Sequence, residues 1–209
     1  MFKKIAALGA AAVLGIGLLT GCGASASTAD AGYSAQNPLV LTLAHGLSET
    51  HTVHIAMTQF AEEVNEKTDG RIQVKIFPNG QLGSENENLE QLQAGVIAMT
   101  KVSAPGLATY NDAFNTFGLP YIFNDTEDFY HVMDSQEMQD FFLSTGEDGF
   151  VTLTYYTSGA RSFYTKDKAI RTPADLKGLK IRVQDMKSQT DMMSYLGGIP
   201  VAMSYGDVY

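Results

Sequence analysis

The chain has 209 residues, with 14 Lys and Arg against 23 Asp and Glu, a net charge of −9. That acidic balance argues against nucleic acid and anionic lipid surfaces as partners, since both require a basic face. The only cysteine is Cys22, which excludes an internal disulfide and any cysteine-built metal site.

The opening residues MFKK supply two positive charges, and IAALGAAAVLGIGLL follows as an apolar run too short for an ordinary membrane-spanning helix. The pattern predicts a signal peptide over residues 1–21. Leu19-Thr20-Gly21-Cys22 resembles the bacterial lipobox, which implies lipid attachment at Cys22 and cleavage in front of it. Loss of Lys3 and Lys4 with the leader leaves 12 basic against 23 acidic side chains, so the mature net charge is −11. Residues 22–36 are small and polar, with nothing to bury, and predict a flexible tether to the folded part.

PLVLTLAHGL is an apolar run of strand length, and SETHTVHIAMTQFAEEVNEKTDG places Val53, Ala56, Met57, Phe60, Ala61 and Val64 at helical spacing, ending at Gly70. RIQVKIF then alternates, with Ile72, Val74 and Ile76 on one face, before Pro78-Asn79-Gly80 breaks it. Ser84 followed by Glu87 is a capping box that opens a helix closed at Gly95. VIAMTKVS reads as a third strand, YNDAFNTFGLPYIFND as an aromatic loop, and TEDFYHVMDSQEMQDFFLSTG as one or two helices. The β-branched and aromatic run FVTLTYYTSGARSFYT, residues 150–165, predicts a long strand, long enough to pass between lobes. A helical turn at Thr172-Pro173, the strand KIRVQ and the helix QTDMMSYLG complete an alternation that predicts an α/β fold with a largely parallel sheet. The division expected is a first lobe over 37–125 and lobe-crossing strands with a partial second lobe over 126–209. Ser204 and Asp207 form an N-cap pattern just before the last residue, so a truncated chain is expected.

Enzyme signatures are absent: there is no G-x-S-x-G elbow, no cysteine nucleophile beyond the lipobox, no Walker loop and no G-x-G-x-x-G after a strand. No catalysis and no cofactor are expected. His45, His51 and His54 are spaced H-x5-H-x2-H, which fits no metal-ligand pattern, so polar roles at a loop and a helix start are expected and no metal. His45 ends a buried strand, where α/β sheets present their ligands, and is a candidate for the cleft. Glu85 and Asn86 start a helix that would face the same edge, so ligand contact stands beside simple helix capping as a reading for them.

Arg161 and Arg182 remain. On a strand Ile181 and Val183 share one face, and Lys180, Arg182 and Gln184 share the other. A guanidinium is planar and permanently charged, and it can hold a carboxylate through two parallel hydrogen bonds. Two arginines converging on one anion would explain charge among so many apolar and aromatic neighbours. Internal salt bridges to Asp167 or Asp185 are the alternative.

PNGQLGSENENLEQLQAG, LPYIFND, SGARSFYT, PADLKGLKIRVQ and LGGIPVAMSYGDVY occur in this order, and together they resemble the solute-binding proteins of tripartite ATP-independent periplasmic (TRAP) transporters, the DctP type. The resemblance runs from about Leu39 to Tyr209. It implies a two-lobed, periplasmic-binding-protein-like α/β fold of type II-like arrangement, here with an incomplete second lobe because family members continue past this point. It also implies a small organic acid, such as a uronate, another sugar acid or a C4-dicarboxylate, held by Arg182 with Arg161 as second contact. The implied partners are integral-membrane TRAP subunits, and the implied place is extracytoplasmic, tethered through Cys22. Many relatives carry an arginine where this chain has Asn86, which points to a ligand with hydroxyls in place of a second acid group. A receptor for a neutral solute, a sensor subunit and an extracytoplasmic enzyme are the rival readings.

Overall fold

Strand β1, Leu39–Ala44, is central in a three-stranded parallel sheet of order β2-β1-β3, between β2, Ile72–Phe77, and β3, Met99–Thr100. The computed structural model describes residues 32–203 and 205–208. The predicted signal peptide, the lipobox with Cys22 and the Ser204 cap therefore lie outside the described residues. Register pairs Leu41 with Val74 and Leu43 with both Ile76 and Met99. Between β1 and β2 runs α1, Thr52–Lys67, whose Val53 and Met57 are buried against Leu43, Val74, Ile76 and Met99. Burying side chains of this size contributes about 1.5–3 kcal/mol each, which fixes the helix to the sheet. The β2 alternation holds as the sequence predicts: Ile72 and Val74 are partly buried, and Gln73 and Lys75 are exposed.

Residues 33–36, assigned from sequence to the tether, belong instead to the folded unit. Ser34 and Asn37 exchange backbone hydrogen bonds of 3.1 and 3.0 Å in a turn. Ala35 lies so close to Gly70 that a Cβ there would stand 3.1 Å from the alanine Cβ; with a φ of +76°, Gly70 is doubly constrained to glycine.

Helix α2, Glu85–Gln93, opens on the predicted capping box. Ser84 Oγ accepts from Glu87 N–H, and the Glu87 carboxylate accepts from Ser84 N–H at 2.7 Å. The aromatic stretch expected as a loop is instead part of a second core. Short 3-10 turns at Ala104–Thr109 and Asp112–Gly118 bury Leu107 and Phe114 against Leu89, Phe117 and Phe141, with the Phe114 and Phe141 ring centroids 5.0 Å apart. Two helices follow, α3, Thr126–Met133, and α4, Gln136–Ser144.

The strand expected over residues 150–165 does not form. The run has no helix or strand assignment, and its backbone makes no main-chain to main-chain hydrogen bond among the described residues. Strand propensity describes fit to a pleated surface, and without a partner ladder it yields only extended chain. The alternation of strands and helices accordingly lapses between β3 and β4, Lys180–Val183.

The second sheet is β4 with β5, Ile199–Ala202, again parallel, with Arg182 opposite Val201 and Val183 opposite Ala202. The sequence reading did not identify β5, whose four residues Ile199-Pro200-Val201-Ala202 are interrupted by proline. Helix α5, Lys187–Tyr195, joins the two strands and buries Met193 completely, while the preceding turn Pro173–Leu176 buries Leu176.

Candidate functional site

Four of the five parallel strands, β1 to β4, are followed by a polar residue beyond the carboxyl end, where open α/β sheets bind ligands. His45 follows β1, Glu85 opens the helix after β2, Lys101 and Ser103 follow β3, and Gln184 follows β4, the strand that carries Arg182.

Four of these side chains, Glu85, Lys101, Ser103 and Gln184, form one hydrogen-bonded chain with Arg161. Arg161 Nη1 donates to Gln184 Oε1, and Gln184 Nε2 donates to Ser103 Oγ at 2.7 Å. Ser103 Oγ donates to Glu85 Oε1 at 3.2 Å, and Lys101 Nζ reaches the same carboxylate oxygen at 3.4 Å. The chain bridges the two sheets, since Ser103 lies beyond β3 and Gln184 beyond β4.

Arg182 is half-buried and reaches past the end of β5. Its Nε and Nη2 both donate to the Met203 carbonyl oxygen, at 3.0 and 2.8 Å. A guanidinium has five N–H donors, so the Nη1 side of the fork stays uncommitted among the described residues. Arg161 keeps much of its surface open, yet partial burial and then the charge of Arg182 lower its pKa, opposed by the carboxylate of Glu85. The two cations are thus electrostatic neighbours. Neither pairs with Asp167, Asp185 or any other carboxylate among the described residues; the ion pairs there are Lys67 with Glu63, Lys101 with Glu85 and Lys187 with Asp191. Two like charges with no directly paired carboxylate among the described residues are chemically suited to an anion, with Glu85 the acidic group whose charge reaches Arg161.

The other sequence candidates fare differently. Glu85 belongs to the network. Asn86 is exposed on α2 and makes no side-chain hydrogen bond among the described residues, so nothing draws it into the cluster. His45 is fully buried and faces no solvent. Its Nδ1 accepts from Leu47 N–H at 3.0 Å, which leaves Nε2 to carry the proton and donate to His54 Nδ1, also at 3.0 Å. Burial, then the nearby charges of His54, Lys101 and His51, lower its pKa to about 4. His51 Nδ1 caps α1 by accepting from Val53 N–H at 3.1 Å. The histidines are therefore structural, and among the described residues no three His, Cys, Asp or Glu side chains are grouped to hold a metal ion. No described helix is long and apolar enough to cross a membrane.

Gln184, Ser103, Lys101 and Met203 were not among the candidates from sequence. Strand alternation had already placed Gln184 on the face of Arg182, a usable signal; nothing local marked the other three.

Two open depressions lie elsewhere. One of about 860 Å³ is lined by Asp125, Glu127, Asp128, His131 and Asp134, and one of about 420 Å³ lies between α1 and residues 154–157. Neither is lined by Arg161 or Arg182. Carboxylates lining the larger one repel an anion, whereas the two arginines attract one.

Comparison with known proteins identifies the family and the fold. The protein YiiZ of Salmonella typhimurium is 39% identical over 171 residues, covering 81% of this chain and 52% of its own. The chain thus spans about half the length of the curated relatives it matches. A TRAP periplasmic solute-binding protein from Anaerococcus prevotii, solved with bound α/β-D-glucuronate, superposes with a TM-score of 0.78 at 38% identity, over 82% of this chain and 56% of that one. One from Sulfitobacter, solved with bound β-D-galacturonate, gives 0.77 at 34% identity, over 81% and 57%. These neighbours are solute-binding proteins and not enzymes. The DctP family profile, bacterial extracellular solute-binding protein family 7, matches residues 43–209, and the chain belongs to that family.

Proposed function

We propose that the protein is the extracytoplasmic receptor of a TRAP transporter and takes a uronate or a related sugar acid by its carboxylate, between Arg182 and Arg161. The observation that carries this reading is that Arg161 is bonded to Gln184, two positions after Arg182 on the same strand face, with no carboxylate among the described residues paired to either arginine. The Met203 carbonyl orients the Arg182 fork and leaves its outer edge for the ligand. A carboxylate seated there relieves the repulsion between the cations, and each charge-assisted bond is worth about 1.5–3 kcal/mol. Uronates in two similar structures support the ligand class. Closure around the acid then follows from better contacts in the closed state, which shift the population toward it.

The protein performs no chemistry of its own in this reading, needs no cofactor and hands its cargo to integral-membrane subunits. The basic, apolar leader and the lipobox support export and a lipid anchor at Cys22. Thermal-shift and calorimetric titration of the chain with D-glucuronate, D-galacturonate, succinate, D-glucose and D-galactose tests the ligand class. Uronates are expected to raise the melting temperature and neutral sugars to leave it unchanged. Equal shifts by glucose and glucuronate would sink the carboxylate reading. Mass analysis of the membrane fraction tests the anchor, with an unmodified leader counting against it.

A further inference from the structure

The two arginines are anchored differently. Arg182 stands on a strand and is fixed by the Met203 carbonyl at the end of its own sheet. Arg161 lies in the extended run that has no ladder, and its one side-chain hydrogen bond among the described residues goes to Gln184. An arginine has many rotamers, and a like-charged neighbour drives it away unless something holds it.

Donor and acceptor chemistry sets the direction of the whole chain. Arginine only donates, so the Gln184 amide must turn its oxygen toward Arg161 and its nitrogen away. That nitrogen finds Ser103 Oγ, whose single hydrogen is then left for Glu85 Oε1. Each bond presupposes the next. Gln184 is the one member that touches both Arg161 and the residue beyond β3.

We propose that Gln184 is a positioning residue: its amide clasps the end of the first sheet through Ser103 and aims the Arg161 guanidinium at the space beside Arg182. The proposal rests on the carboxylate reading above for its functional meaning, but the clasp itself is a property of the free protein. Crowding by protein and by the Arg182 charge both disfavour a cation at Arg161, and the Gln184 amide oxygen, with the charge of Glu85, offsets them. A carboxylate in its place would pair with Arg161 more strongly, would have no N–H to give Ser103, and would compete with the ligand for the guanidinium.

The test uses the chain with Gln184→Ala, Gln184→Glu, Arg161→Ala and the Arg161→Ala/Gln184→Ala double variant, titrated calorimetrically with D-glucuronate. Gln184→Ala is expected to weaken binding about tenfold, the loss of one oriented charge-assisted bond, and to change affinity less than about twofold once Arg161 is absent. Gln184→Glu is expected to weaken it further than alanine does. Equal losses from Gln184→Ala in both backgrounds would show that Gln184 acts without Arg161 and would overturn the proposal. Nitrogen-15 relaxation of the arginine side chains supplies a readout that needs no ligand, with the Arg161 Nε–Hε order parameter expected to fall in Gln184→Ala. If the unaltered chain binds no uronate, the carboxylate reading fails alone; unchanged Arg161 order in Gln184→Ala would end the clasp.

Discussion

Arg182 places two N–H groups on one acceptor, the Met203 carbonyl oxygen, at 3.0 and 2.8 Å. The pairing ties β4 to the chain leaving β5, where Met203 N–H in turn donates to Val183 O at 3.2 Å. It spends the Nε side of the guanidinium on the protein, and the Nη1 side makes no hydrogen bond among the described residues. An arginine can thus strap two strands and, in the proposed function, still present donors to a carboxylate, which a point-charge ammonium cannot do.

Arg182→Lys keeps the charge but loses the fork. Affinity for D-glucuronate is expected to fall by at least about tenfold, corresponding to one charge-assisted bond of roughly 1.5–3 kcal/mol. Isothermal titration checks it, and an unchanged affinity would place the carboxylate elsewhere.

Acid stability depends on His45. Its neutral ring accepts at Nδ1 and donates at Nε2, so a second proton on Nδ1 would confront the Leu47 N–H. The folded pKa of about 4 lies below the ordinary 6.5, so between these values the unfolded chain binds a proton that the folded one does not. Stability from this group is therefore complete above about pH 6.5 and declines as pH falls toward 4, by at most about 3 kcal/mol. Thermal unfolding at pH 7 and 4.5 should show a larger drop for the unaltered chain than for His45→Gln. Identical drops in the two proteins would refute it.

The α2 cap opens the helix that carries Glu85 into the network, and its strength is read by unfolding. Ser84→Ala removes the acceptor for Glu87 N–H and is expected to cost about 1 kcal/mol in denaturant unfolding. Gly83→Ala is expected to cost more, because its φ is +117° and the new Cβ would stand 2.8 Å from the Glu87 carboxylate oxygen that completes the box. A neutral Gly83→Ala would contradict this account.

Gly198→Ala probes the second sheet. Its Cβ would collide with the side chain of the fully buried Met193, with the Leu176 carbonyl 3.6 Å away on another side. Overpacking of this kind is expected to cost about 1–3 kcal/mol, read from the chemical unfolding midpoint. An accompanying Met193→Ala should recover part of the loss by opening space, and failure to do so would place the strain elsewhere.

The elements legible in the sequence are those whose signals are local. The period-2 pattern of β2, the helical spacing of Val53 and Met57 in α1, and the Ser84–Glu87 box all depend on residues within a few positions of one another. Residues 150–165 show the limit: strand-forming composition is there, but the ladder it would join is not among the described residues, so composition and structure part company. β5 went unread because four residues including a proline give too short a pattern to register alone.

By itself the sequence determined the acidic balance, the succession of elements from β1 through α2, the parallel α/β class and the two arginines that carry permanent charge. Only the tertiary structure decided what those arginines meet. Gln184 is 23 residues from Arg161 and 81 from Ser103, and Met203 is 21 from Arg182, so no window of local chemistry contains these pairs. Their meeting is produced by strand register and by side chains gathering at the carboxyl ends of two sheets. A backbone carbonyl has no residue-type signature, and for that reason the acceptor that orients Arg182 could be found only in three dimensions.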